Sequence, residues 1–360
     1  MNNEAEPWFY NLEAGICEEC DWGFLVPVSK FPDKCPHCFR KPLSLIGENA
    51  AELPILRPPE LYLPFELTDS KLSQALEAFV QGIPFSPQDL ATRNLFNRLE
   101  RLYLPVWLVD CRIRATWQAE VGFDYEVVSH QDHFTGGKWI SKQVNEVRIR
   151  WESRIGRLDR QYKNIQAAAL EEHHYIIKVL GQYAWQNTQI YKSEIINTEN
   201  IRLPNRSPED AWSDAEAALR AKTAEECFTA ASAEHIRGFN WQPEFLEPNW
   251  TLLLLPVLSS YYIDDTGSKI PLFIHGQTGR IAGTRIASMK KARTVSLTIL
   301  LVSAGIFIAG LLLAALSATL PILLACAVLG IALALLLGLV SVIPVASVWW
   351  FNRNSQPVRV

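Results

Sequence analysis

The distribution of charge along the chain changes abruptly near its C-terminal end. From Thr294 to Asn352 there is no Asp, Glu, Lys, Arg or His, and most positions are Leu, Ala, Ile or Val. One bilayer crossing takes about 20 such residues. A single straight helix over the whole run would reach roughly 88 Å, too long for one crossing. Ser317-Ala318-Thr319-Leu320-Pro321 interrupts it. The pattern predicts two membrane helices, about 294–316 and 322–351, with Pro344 kinking or ending the second. Gly330, Ala334 and Gly338 recur every fourth residue, and Gly305 and Ala309 do the same in the first span. Small faces of this kind let helices approach closely. They suit packing of the two spans on each other; the sharper reading is a homo-oligomer through Gly330, Ala334 and Gly338.

The preceding residues read as an α+β soluble region, 67–290. Helical periodicity runs over Asp69–Gln81 and stops at Gly82, and a second helix is expected over Pro87–Leu102. Strand-like runs follow at Leu104–Thr116, Glu120–Ser129 and Val144–Trp151. Ser207, Pro208 and Asp210 open a helix over 207–235 with a capping box. Leu252–Ile263 is apolar but too short to span a bilayer, so it reads as a buried strand. Phe273-Ile274 and Thr278-Gly279-Arg280 suggest a hairpin leading to the membrane. Leu102–Asp110 and Leu253–Ile263 share Leu-Pro-Val, a short echo of the kind two related subdomains leave. Residues 46–66, with Pro54, Pro58, Pro59 and Pro64, read as a linker.

The seven cysteines are spaced unevenly. Cys17, Cys20, Cys35 and Cys38 form C-x2-C-x14-C-x2-C, whereas Cys111, Cys227 and Cys326 stand apart. Zinc takes four thiolates at tetrahedral corners, and two short Cys-x-x-Cys turns on a hairpin supply them. Residues 1–45 therefore read as a zinc ribbon with one structural Zn2+, Asp21–Val28 forming the hairpin between the turns. A thiol–disulfide reading of Cys35-Pro36-His37-Cys38 needs a helix opening at the tetrad, and Pro42 interrupts one. His37 is expected to be a solvated residue of the turn. His130 and His133 with Asp132, and His173-His174, are further metal candidates, with no further ligand at a known spacing beside them. No phosphate loop or nucleophile motif is present, so no catalytic residue is assigned and no enzyme is expected.

Charge adds orientation. Arg285, Lys290, Lys291 and Arg293 flank the first span, and Arg353 and Arg359 follow the second. The positive-inside rule then puts both termini in the cytoplasm at the inner membrane. A thiolate site suits that reducing side. The N-terminus has no basic or apolar leader, so no signal peptide is expected. In residues 1–45, Glu4, Glu6, Glu13, Glu18, Glu19, Asp21 and Asp33 outnumber Lys30, Lys34, Arg40 and Lys41. That balance argues against nucleic acid as a partner, since phosphate binding depends on positive charge.

The Cys-x-x-Cys pairs, the strand Tyr103–Asp110 (YLPVWLVD), the late Leu-Pro-Val and His275–Arg285 (HGQTGRIAGTR) before an apolar hairpin resemble a family of bacterial zinc-ribbon membrane proteins. That family is described as carrying a transcription-factor-IIB-type zinc ribbon. Val106 and Val109 stand where it commonly has Phe. The family has no established activity; some members resemble membrane-stress components that recruit coat proteins to the bilayer. The resemblance implies a scaffold or adaptor that holds protein partners at the membrane. A thiol–disulfide oxidoreductase and a membrane-tethered nucleic-acid-binding factor are the alternatives.

Overall fold

The computed structural model describes residues 11–46, 57–231, 233–316 and 322–355. It is a mixed α+β protein in two compact units. The first comprises Met1–Pro105, Glu172–Leu203 and Leu254–Val360, and the second Val106–Glu171 and Pro204–Leu253. The units are thus not successive halves of the chain. The two Leu-Pro-Val segments lie where the chain passes from one unit to the other, at Leu104-Pro105-Val106 and Leu255-Pro256-Val257.

The first unit begins with an antiparallel hairpin, β1 (Leu12–Ile16) and β2 (Gly23–Pro27), in register Leu12↔Pro27 to Ile16↔Gly23. A short β3 (Ser44–Leu45) pairs with β1. β4 (Leu61–Tyr62) pairs with β7 (Gln189–Ile190). Tyr62 and Leu63 are buried, so the second part of the segment read as a linker is fixed structure; its Pro54 lies outside the described residues. Helix α1 (Asp69–Val80) starts where Thr68 accepts the Lys71 amide, and it buries Leu72, Leu76 and Phe79 at helical spacing. Helix α2 is only Thr92–Asn97, not the long helix expected over Pro87–Leu102. Asp89 binds the Arg98 guanidinium through two oxygens and also takes the Ile263 amide, which ties that segment into a turn. The strand β5 (Glu100–Thr135) begins directly afterwards.

β8 (Asn200–Arg202) follows α3 (His173–Leu180) and α4 (Ser193–Ile196). It runs parallel to β5 at Leu102↔Asn200 and antiparallel to β2 at Phe24↔Arg202. The strand order β10 (Lys269–His275), β9 (His235–Ile263), β5, β8, β2, β1 makes the cysteine-bearing hairpin part of the main sheet rather than a free-standing module. Leu12, Leu25, Tyr62, Tyr103, Ile201 and Leu254 form one core around this junction.

In the second unit β5 and β6 (Lys138–Ala167) form one long hairpin, paired from Trp107↔Ala167 to Thr135↔Lys138. The three separate strands expected here are therefore two. Thr116–Ala119 offers no turn chemistry, and the real turn is Gly136-Gly137. Both glycines have positive φ, 62° and 78°, as a tight two-residue hairpin turn requires. Trp107, Val109, Cys111 and Ile113 are buried against α5 (Pro208–Ala230), which inserts Ala211, Ala215 and Leu219. α5 opens with the capping box expected at Ser207 and Asp210. The unit is completed by the first part of β9 (His235–Ile263).

Returning to the first unit, β9 pairs with β10 (Lys269–His275), and β10 with β11 (Ile281–Gly283). The turn between them is wound round His275. Gly276 is required there, because a Cβ would lie 2.6 Å from Pro256. Helices α6 (Met289–Leu316) and α7 (Leu323–Val340) follow, and after a turn at Ser341-Val342 comes α8 (Ile343–Asn354), with Pro344 in its first turn. The break read at 317–321 lies outside the described residues.

Two helical stretches, Met289–Leu316 and Leu323–Asn354, are long and apolar enough to cross a membrane, and only 11% of each apolar window is buried. A core helix of a soluble protein would be covered. The Gly330–Gly338 stripe faces α6. Gly330 approaches Gly310, Ser303 Oγ donates to the Ala334 carbonyl at 2.7 Å, and Gly338 lies by Ser303. The stripe is thus engaged by α6 within the chain. Gly305 and Ala309 stay exposed. Val348 and Phe351 of α8 instead pack into the core that holds Leu72, Leu76 and Tyr262. The 18 residues of α7 alone rise about 27 Å.

Candidate metal centre

The first Cys-x-x-Cys turn is the reversal of the β1–β2 hairpin itself. The Cys17 amide donates to the Trp22 carbonyl and the Asp21 amide to the Cys17 carbonyl, at 2.9 and 2.8 Å. The second turn closes in the same manner, Phe39 amide to Cys35 carbonyl at 3.0 Å. In each, the residue after the second cysteine is left-handed: Asp21 at φ 56° and Phe39 at φ 56°. The two turns are local copies of each other, so each directs a pair of sulfurs the same way.

The sulfurs of Cys17, Cys20, Cys35 and Cys38 all lie within 4.8 Å of one another. Cys17 Sγ is 3.6 Å from Cys38 Sγ, and Cys20 Sγ is 3.7 Å from Cys35 Sγ. A tetrahedron with metal–sulfur bonds of about 2.3 Å has edges of about 3.8 Å. A disulfide would bring two sulfurs to about 2.05 Å. The set fits a divalent ion held by four thiolates. The sulfurs also share protons unequally. Hydrogen bonds from Cys20 and Cys35 hold the Cys38 thiol far below the usual range, and the bond to Cys35 drives Cys20 far above it. Cys35 is pushed up to about 12: its bond with Cys20 lowers it, but Cys38 and burial outweigh that. Four sulfurs this close do not all ionise unaided, and a dication removes the obstacle.

The surroundings are what spacing alone did not reveal. His37 is not solvated: it is buried and stacked on Trp22, 3.7 Å between centroids and 12° between planes. Phe273 of β10 covers its other side at 5.4 Å. The backbone amide of His37 points at Cys35 Sγ, 3.4 Å away. Arg202 of β8, almost fully buried, lays its guanidinium 4.6 Å over the Trp22 ring and donates to the Gly23 carbonyl at 3.0 Å. Burial lowers its pKa to about 10, opposed by the charges of Glu172, Cys20 and Cys35. Lys269 donates to the Phe39 carbonyl at 2.6 Å. Nothing in the first 45 residues signals these partners, because β8 and β10 lie far along the chain.

The other candidates do not assemble. His130 and His133 are three apart on β5 and so project from opposite faces; they sit across from Gln143 and Ile140. His173 and His174 lie side by side at the start of α3, their rings 6.0 Å apart. Among the described residues the four cysteines form the only cluster of three or more metal-type ligands. No family model, curated protein or solved structure matches the chain.

Proposed function

We propose that the chain is a membrane-anchored zinc-ribbon adaptor, with Zn2+ held by Cys17, Cys20, Cys35 and Cys38 and with α6 and α7 in the inner membrane. The observation that carries the reading is the sulfur tetrahedron built into the same sheet whose last strands run into the apolar helices. Zinc there is structural: four protein thiolates leave no open position for a reacting ligand. The basic residues Arg285, Lys290, Lys291, Arg293 and Arg353 favour a cytoplasmic soluble part. Exchange chemistry at Cys35 and Cys38 is disfavoured because both sulfurs are buried, and an attacking thiolate needs access. The adaptor role, with protein partners of the membrane-stress kind, follows the resemblance and the absence of any motif for chemistry in the sequence.

The test is purification of the full chain from membranes in mild detergent, with zinc and co-purifying proteins measured on one sample. One zinc per chain and a partner lost on Cys17→Ser/Cys38→Ser are expected. Iron in place of zinc, reactive thiols at Cys35 and Cys38, or no partner from intact membranes would each overturn the corresponding part.

A further inference from the structure

A hollow of about 580 Å³ opens beside the start of α6, lined by Phe85, Pro87 and Ile263 on one side and by Lys290, Thr294 and Val295 on the other. That volume falls within the about 300–1,000 Å³ typical of small-molecule sites. Thr294 is the first residue of the charge-free run, so the hollow sits where the helix enters apolar surroundings.

Charges here are balanced and mostly committed. Asp89 is neutralised by its two-oxygen pairing with Arg98. Asp265 caps α6, taking Ser288 Oγ at 2.7 Å and the Lys290 amide at 2.8 Å. The helix N-terminus is therefore already satisfied. Lys291 Nζ is spent on the Ser86 carbonyl at 2.8 Å. Oδ1 of Asp264 takes three donors from its own turn: Thr266 N, Thr266 Oγ1 and Ser268 N. Two groups are left over. Among the described residues, Lys290 Nζ has no acceptor and Asp264 Oδ2 has no donor.

One open cation and one open carboxylate oxygen, with an apolar exit along α6, define the ligand. We propose that this hollow binds a zwitterionic phospholipid headgroup carrying a primary ammonium, of the phosphatidylethanolamine kind. Its phosphate pairs with Lys290, its ammonium donates to Asp264, and its acyl chains descend past Thr294 and Val295. A purely anionic headgroup would leave Asp264 facing it. A trimethylammonium headgroup has no N–H to give. The inference rests on the reading that α6 lies in a bilayer.

The experiment is native mass spectrometry of the full chain in detergent, offered equal amounts of phosphatidylethanolamine, phosphatidylcholine and phosphatidylglycerol. Wild type is expected to retain phosphatidylethanolamine about fivefold over either competitor, the worth of roughly one well-placed charge against phosphatidylglycerol and of one charge-assisted hydrogen bond against phosphatidylcholine. Asp264→Asn keeps the Oδ1 bonds of the turn and is expected to erase the preference over phosphatidylcholine. Lys290→Gln is expected to weaken retention about fivefold, whereas Lys142→Gln on the second unit leaves it unchanged. Equal retention of all three lipids, preference for phosphatidylglycerol, or displacement by free phosphoethanolamine as effective as by the lipid would overturn the proposal. Carbonate extraction of native membranes separates the two failures. A chain that stays in the membrane but shows no lipid preference refutes only this inference; a chain that is extracted refutes the anchoring itself.

Discussion

The carboxamide of Asn352 is joined to the backbone of Ala287 by two hydrogen bonds, Ala287 N to Oδ1 at 2.8 Å and Nδ2 to the Ala287 carbonyl at 3.0 Å. Ala287 lies two residues before α6, and Asn352 lies near the end of α8. One side chain therefore ties the entry of the first apolar helix to the exit of the last. Val348 and Phe351, on the same helix, add apolar contact with the core beneath.

Asn352→Leu removes both bonds and leaves an amide and a carbonyl without partners in a partly buried place. A loss of about 1–3 kcal/mol is expected. Thermal melting of the detergent-solubilised chain measures it, with Asn354→Leu as the exposed control. Equal melting temperatures for both variants would show that the clamp contributes nothing.

A pH effect is expected from His275. Its Nε2–H donates to the Gln182 carbonyl at 3.1 Å, while Nδ1 accepts the amides of Gln277 and Thr278 at 3.1 and 3.3 Å. The ring also stacks on Tyr183. Burial holds its pKa below the ordinary histidine value, and the Gln182 carbonyl only partly opposes this. The unfolded chain takes up this proton near pH 6.5. The neutral ring therefore contributes its full stability above about that pH, and the contribution is lost as pH falls through the lower folded value. Melting temperature should drop more steeply as pH falls below about 6.5 in wild type than in His275→Gln. Parallel curves for the two proteins would remove His275 as the cause.

Much of this architecture is legible in the sequence where a pattern is local. The Ser207–Asp210 capping box, the α1 periodicity, the Cys-x-x-Cys pairs and the charge-free run each depend on residues close in the chain. What escaped depends on partners far apart. The 1–45 segment looks self-contained because its cysteines supply a metal shell, yet β2 is completed by β8. His37 looks like a turn residue until Trp22 and Phe273 enclose it. The Gly330–Gly338 stripe specifies close packing but not against what; Ser303 and Gly310 of α6 are the residues found against it. The β5–β6 hairpin is hard to read for another reason: buried and exposed positions alternate only up to about Val121, and the exposed polar stretch from His130 to Gln143 carries no strand signal.

Arg202 gives the sharpest test of the candidate metal centre. A dication with four thiolates carries a net double negative charge, and burying charge without compensation is costly. Arg202 is the buried cation whose environment includes Cys20 and Cys35, and its guanidinium is held in place by Trp22 and the Gly23 carbonyl. Partners just outside a ligand shell typically affect metal affinity about 10–100-fold. Arg202→Met is expected to weaken zinc binding within that range, measured by competition with a chromophoric chelator. Arg202→Lys keeps the charge but loses the flat stacking group, and should recover part of the affinity. A lost fold would confound the comparison, so near-ultraviolet circular dichroism of the zinc-saturated variants is recorded alongside. A folded Arg202→Met protein with wild-type zinc affinity would mean that the thiolate charge is balanced elsewhere, leaving the backbone amides such as that of His37 to do it.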